Sequence, residues 1–498
     1  MWLITGLTIW RILYLWVVPL DLIADEAYYW DWSRQLDIGY YSKPPMIAWV
    51  NFVSRSLLWH DAFCVRLPAP LLNAAAMSVV YVLAKTMYDS RVALWALLFM
   101  AASPGAVLLN LVMTIDAPLV LFWSVGLYAG WRALNAEGCD WRWWCLSGVA
   151  GGLGLLTKQM MLAYLGGLFL VAWIVPDWRR HLRTPGPYVM LVIAIVVFSP
   201  VIFWNAQNDW ITAEHTTHHF HASKRPWYNG FSTFGEYVGG QFGVVSPITG
   251  ILGLLVILQA AKFAKRSRDP RAVFLLVLGP LGLLGIALLS FRQRINANWP
   301  AVFHVASVLL LAAWAGGGLR FNERFAGLRA WRIPALGLGA GLAVILYLLP
   351  FVWILLGLDG GKLDPARRLR GWEKFGATLS EIKAEFPQPE NTVVVAFNRK
   401  HTAELAYYML ERPTTYEWRA DPNSIRNQYT LWGGPVDRIG ADAMLVVPYD
   451  RKPPPEIVKH FRAIHKVAEL HIRAGGDGQH HVTIYRGEHI LSWPTRDK

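Results

Sequence analysis

The sequence predicts a polytopic α-helical membrane protein that closes with a small soluble α/β domain. Three observations lead there. Of the 498 residues, 54% are hydrophobic and only 16% charged, whereas a water-soluble chain of this size carries about a quarter charged residues. Apolar runs of membrane-crossing length recur through the first 358 residues. Beyond them, the β-branched runs TVVVAF and AMLVVPY alternate with the helical stretch HTAELAYYML, as strands and helices of one sheet do.

Hydropathy places about eleven transmembrane helices, near 2–20, 67–84, 92–110, 117–134, 144–160, 161–176, 188–204, 236–261, 272–290, 300–318 and 333–357. Alternate loops hold the positive charges: Lys85 and Arg91; Arg132 and Arg142; Arg179, Arg180 and Arg183; Lys262, Lys265 and Arg266; Arg320, Arg324 and Arg329. Positive loops stay in the cytoplasm, so the N-terminus is expected inside, and the stretch DEAYYW and everything beyond residue 360 outside. The expected division is a membrane domain over 1–358, including a first outer loop at 21–66, and an outer domain over 359–498. In that loop, 28–36 and 46–59 read as surface helices whose Tyr and Trp side chains suit the headgroup layer. Arg11 interrupts the first span and is expected to face a neighbouring helix, because a central arginine against lipid is costly.

The net charge of +13 does not indicate nucleic acid, since the positive residues sit in short loops and form no basic recognition element. The three cysteines form neither a disulfide framework nor a metal-binding spacing.

The polar residues that remain converge on the outer face. Asp25 and Glu26 directly follow the first span. Lys43 precedes Pro44 and Pro45, whose fixed φ angles stiffen the chain. Asp116 begins a span, where an acid complements the helix dipole, and Lys158 interrupts the apolar stretch between two others. Asn205 follows a further span. Taken singly, each could be a cap or a solvated loop residue. Together, acids and cations on one membrane face suit an anionic, lipid-linked substrate, with the cations on phosphate and an acid as base. Tyr40, Tyr41, Arg66 and Arg225 join the substrate-binding candidates. His218, His219 and His221 in AEHTTHHFH offer either sugar or phosphate contacts or a divalent metal site, though their spacing fixes no geometry. No cofactor is otherwise indicated.

The stretches DEAYYWDWSRQLDIGYYSKPP, VRLPAP, TIDAPLVLFW, GLGLLTK, PVIFWNAQNDW and NANWPA, with TAELAYYMLERPTTY and NQYTLW further on, resemble the bacterial branch of the protein O-mannosyltransferase family, glycosyltransferase family 39, which includes the lipid A aminoarabinose transferases. The resemblance implies the GT-C fold and a bacterial inner-membrane enzyme with a periplasmic active site and C-terminal domain. It implies transfer of a sugar from a polyprenyl-phosphate donor to an envelope acceptor: lipid A or lipopolysaccharide, another glycan, or a protein. By the same resemblance Asp25 is the acid-base residue, Glu26 its partner and Asp116 the second acidic motif, while Lys43 and Lys158 hold phosphate. Where aminoarabinose transferases often carry an acid before the K-P-P sequence, this chain has Ser42, so neither that metal ligand nor that sugar is carried over.

A polyprenyl phosphate leaves as a stable anion, so the chemistry asks for charge stabilisation at oxygen rather than a general acid. With Asp25 as base on the opposite face of the sugar, a single displacement inverts the anomeric carbon. The rival class is a transporter or flippase of anionic or lipid-linked substrates, whose path would be lined by the same charges. No inverted repeat or matched pair of broken helices supports it.

Overall fold

Residues 1–58, 61–218, 229–321, 323–476 and 478–496 are described by a computed structural model. Two units emerge. The first comprises Met1–Trp16, Lys43–Ile47 and Arg66–Tyr347; the second comprises Val17–Ser42, Ala48–Val65 and Leu348–Lys498.

The regular elements among the described residues of the first unit are all helices. Among the described residues, five helices are long and apolar enough to cross a membrane: Ala62–Met87, Gly186–Gln207, Pro247–Ser267, Pro270–Ser290 and Phe325–Leu355. Two helix pairs qualify when taken together, Ser90–Ala102 with Pro104–Leu111 and Gln159–Ile174 with Pro176–Arg183, bent by 70° and 118°. A proline opens the second member of each pair; having no N–H, it cannot extend the preceding ladder. Trp2–Val17 and Ala301–Gly316 are shorter apolar helices.

The span expected at 236–261 needs correction. One helix ends at Val245 and another starts at Pro247, with Ser246 between them in a positive-φ conformation of 75°. Proline is well suited to the first helical turn but not to a helix interior, so the apolar run is divided there.

Close packing in this unit depends on small and aromatic residues. A Cβ on Gly148 would lie 2.6 Å from the Met190 carbonyl oxygen, and one on Gly152 would lie 2.5 Å from Val197 Cβ. This glycine pair, four residues apart, lets helix Trp141–Leu155 meet helix Gly186–Gln207 at backbone distance. Trp123 is fully buried, edge-on to Tyr164 and Phe303 at 5.9 and 5.3 Å. Arg11 is 2% exposed and donates to Asn110 Oδ1 at 3.1 Å. The expected helix neighbour therefore receives its charge.

In the second unit a five-stranded sheet runs in the order β2-β1-β3-β5-β4. The strands are β1 Val393–Ala396, β2 Thr415–Glu417, β3 Ala443–Pro448, β4 Phe461–Arg473 and β5 Gln479–Ile490. β1 lies parallel to β2 and β3, while β5 is antiparallel to β3 and β4. Val394, Met444 and Ile484 pack on one face with Trp372, Phe375 and Leu405. Val393, Val395, Leu445 and Tyr485 pack on the other with Trp418 and Trp493. That alternation follows from the two-residue period of a strand.

Most of the first outer loop, Val17–Ser42 and Ala48–Val65, groups with the second unit, while Lys43–Ile47 and Arg66 group with the first, and the units divide at Tyr347/Leu348. Hydrogen bonds explain the grouping. Trp372 N–H donates to Asp21 Oδ2 at 2.7 Å, Tyr41 N–H to Gln428 Oε1 at 2.7 Å, and Tyr429 O–H to Asp31 Oδ2 at 2.9 Å.

Candidate active site

The sequence-derived candidates fall into two groups, one in each unit. In the second, helix Ala24–Trp32 carries the acid pair. Asp25 is about half exposed, with a side-chain accessibility of 47%, and its Oδ1 pairs with Arg399 Nη1 at 2.6 Å. Oδ2 of Asp25 has no protein partner among the described residues. Arg399 opens helix Arg399–Tyr408, started by Asn398, whose side chain accepts from His401 N–H at 2.9 Å. The guanidinium also lies over the Tyr28 ring at 4.8 Å. Burial alone would lower its pKa, but the Asp25 carboxylate outweighs that and raises it.

Glu26 is fully buried, and its Oε2 accepts from Ile23 N–H at 3.1 Å, capping its own helix. Tyr40 is also fully buried, stacked on Trp32 at 4.3 Å, with its hydroxyl bound to the Trp32 and Gln35 carbonyls. Tyr41 is 9% exposed and holds Gln428.

Glu404 and Asp31 were not legible as site neighbours. Glu404 is fully buried, and among the described residues neither carboxyl oxygen has a hydrogen-bond partner. Burial holds its pKa well above the ordinary 4.5; Lys400 opposes this, while Asp21, Glu26 and Asp25 add to it. Asp31, packed against Tyr429 and Arg34, is pushed up to about 6 from 3.8, chiefly by burial.

A stability effect follows from Asp31. Its folded value lies above its ordinary one, so its contribution is fully present below pH 3.8 and is lost as pH rises to about 6. His401 acts in the opposite sense. Burial first, then Lys400 and His480, hold it down to about 3, so stability falls as pH drops below 6.5. The difference between wild type and Asp31→Asn isolates the aspartate. Thermal unfolding followed by tryptophan fluorescence should show the variant gaining on wild type by roughly 5 °C between pH 4 and 6.5. A constant offset across that range contradicts the assignment.

In the first unit, Asp116 begins helix Asp116–Leu134 and is 1% exposed. Its Oδ1 pairs with Lys158 Nζ at 3.0 Å, and its Oδ2 accepts from Asn298 Nδ2 at 2.5 Å. Lys158 follows helix Trp141–Leu155, and Leu156 beside it accepts from Met46 N–H at 3.1 Å. That bond ties the Lys43-Pro44-Pro45 segment to the loop carrying Lys158. Arg66 ends helix Ala62–Arg66 at 3% exposure. Asn205 is locally committed: Nδ2 donates to Val201 and Oδ1 accepts from Thr212 N–H at 3.2 Å. It thereby closes a turn in which Asp209 and Trp210 take positive φ values of 54° and 55°. His218 ends helix Ile211–His218, while His219, His221 and Arg225 lie outside the described residues.

Residues 42–204 match the family model described as dolichyl-phosphate-mannose-protein mannosyltransferase. The chain is 31% identical over 317 residues to the lipid A galacturonosyltransferase RgtD of Rhizobium johnstonii, covering 63% of this chain and 64% of that protein. It is 26% identical over 329 residues to the undecaprenyl phosphate-alpha-4-amino-4-deoxy-L-arabinose arabinosyl transferase of Pectobacterium atrosepticum, covering 63% of this chain and 57% of the relative. These alignments span less than two thirds of either relative. Among solved structures, ArnT from Cupriavidus metallidurans bound to undecaprenyl phosphate superposes with a TM-score of 0.61 at 16% identity, over 99% of both chains. The oligosaccharyltransferase AglB from Archaeoglobus fulgidus gives 0.53 at 10% identity, over 89% of this chain and 69% of that one.

The fold is the GT-C fold of those solved structures.

Proposed function

We propose that the protein transfers a sugar from a polyprenyl-phosphate donor to an envelope acceptor, with lipid A first among the acceptors. The observation that carries the reading is a GT-C chain in which Arg399 fixes one oxygen of Asp25 and leaves the other open. The activities by which the relatives are named, lipid A galacturonosyl and aminoarabinose transfer, support both donor class and acceptor.

In this mechanism Asp25 Oδ2 takes the acceptor's proton as the new carbon–oxygen bond forms. Arg399 acts as a positioning residue, holding the carboxylate in one rotamer. The glycosidic bond to phosphate breaks on the far side of the anomeric carbon, inverting it, and Lys43 stabilises the charge left on phosphate. Lys158 contributes positive charge beside Asp116, with Arg66 as a further cation. Loss of the leaving group as a phosphate monoester requires no protein acid.

The same reading has about eleven membrane crossings, with Pro247–Ser267 as the eighth, the N-terminus in the cytoplasm, and Asp25 and the C-terminal sheet in the periplasm of the inner membrane. A reporter fused at residue 498 should be active only in the periplasm. Cytoplasmic activity there would put the site on the wrong face.

Mass spectrometry of envelope lipids with and without the gene tests the function. Lipid A carrying one additional sugar only when the gene is present is the expected result, and the added mass distinguishes a uronic acid from an amino-pentose. Identical lipid A and glycan profiles in the two strains would contradict it.

A further inference from the structure

Far along the sequence from the acid pair, the hairpin of β4 and β5 brings two histidines and a glutamate together. His471 and His481 are direct partners in the antiparallel register, so their side chains leave the same face of the sheet. Glu469 precedes His471 by two residues and shares that face. The imidazoles stack at 4.0 Å with an interplanar angle of 26°.

The carboxylate divides its oxygens. Lys466 Nζ holds Oε2 at 2.8 Å. Oε1 faces the two imidazoles, 3.4 Å from His481 Nε2 and 3.8 Å from His471 Nε2. One ligand atom from each of the three residues lies within 4.8 Å of the others. Metal–ligand bonds of roughly 2.0–2.2 Å in a tetrahedron set ligand atoms about 3.4 Å apart. Two edges of the triangle therefore nearly meet that spacing, and a small imidazole rotation closes the third.

We propose that Glu469, His471 and His481 form a site for one divalent transition metal, with Lys466 orienting the carboxylate from behind. Two imidazoles and one carboxylate favour Zn²⁺, Cu²⁺ or Ni²⁺ over Mg²⁺ or Ca²⁺, which take oxygen donors. His471 and Glu469 are 52% and 34% exposed at the side chain, so the fourth position opens to water. The outward position suits exchange of the ion with solvent rather than a buried structural role. An ion pair between protonated histidine and Glu469 would account for one short contact. It does not account for one carboxylate oxygen facing two stacked rings, since two adjacent imidazolium ions repel.

The test uses the full chain in detergent, stripped with a chelator, dialysed against ZnCl₂ and analysed for bound metal. Wild type should hold one more zinc per chain than His471→Ala/His481→Ala, with a Kd on the order of micromolar. Other histidines contribute equally to both proteins and cancel. Glu469→Gln should weaken this increment about tenfold, and excess Mg²⁺ should not displace it. Zinc should also raise the melting temperature of wild type more than that of the double variant, and a single His471→Gln variant serves if the double fails to fold. Equal zinc content and an equal melting shift in wild type and the histidine variants would overturn the site, as would displacement by Mg²⁺.

Discussion

Asp25→Asn is expected to lose sugar transfer by at least about a hundredfold while reaching the membrane and binding donor nearly as well as wild type. Asparagine keeps the shape of the side chain and can still accept from Arg399 through its carbonyl oxygen, but it is no longer a base. With Asp25 about half exposed, its replacement should disturb packing little. Glu26→Gln should act differently. Glu26 is buried and caps its own helix, so its loss should appear first as a lower melting temperature. Arg399→Ala should also reduce transfer, by freeing the Asp25 rotamer, and Arg399→Lys should recover only part of it, since lysine lacks the planar fork. The readouts are kcat and donor KM in detergent, beside a thermal melt for each variant. An Asp25→Asn enzyme turning over near the wild-type rate, with Glu26→Gln or Asp116→Asn inactive, would move the base to the other carboxylate.

The second large effect concerns Asp116 and Lys158. Their side chains are only 2% and 11% exposed, and the pair is 3.0 Å apart. Removing one partner leaves a buried charge uncompensated, at a cost of roughly 3–5 kcal/mol. Lys158→Met alone and Asp116→Asn alone should therefore both lower stability. The double variant should recover most of it, because neither charge then remains buried. Transfer should stay low in all three if Lys158 also supplies charge to the donor phosphate. Thermal melts and donor kinetics on the four proteins separate the two roles. A double variant that regains both stability and transfer would confine the pair to structure. A double variant as unstable as the worse single one would remove the ion pair from the account.

Much of this was legible in the sequence because lipid makes strict demands on composition. Apolar runs marked the membrane-crossing helices, and TVVVAF and AMLVVPY marked central strands whose side chains are buried on both faces. The break at Ser246-Pro247 was not read, because hydropathy averages over a proline that the helix cannot. β4 was also missed. As an edge strand it has one side open, and its burial alternates only weakly.

The acid pair stood out because two carboxylates at the end of a span are costly without a use. Arg399 gave no such signal. It lies 374 residues from Asp25, and among many surface arginines only folding selects it; the Asn398 cap was its one local mark. Asn298 was within reach, since NANWPA had been singled out by resemblance, but nothing in the string tied it to Asp116. The local bonds of Tyr40 and Asn205 gave no sequence signal either: the Tyr40 hydroxyl donates to the Trp32 and Gln35 carbonyls, and Asn205 Oδ1 accepts from Thr212 N–H.

The proposed activity breaks a sugar–phosphate bond, whereas a transporter would carry the intact lipid across the bilayer. The most direct measurement incubates detergent-purified protein, with no sealed compartment, with lipid A and undecaprenyl-phosphate-linked uronic acid or amino-pentose. Release of undecaprenyl phosphate, with matching appearance of sugar on lipid A and loss of both in Asp25→Asn, is the predicted result. Intact donor in detergent, together with movement of that donor across the membrane of sealed proteoliposomes, would contradict the account and identify a transporter.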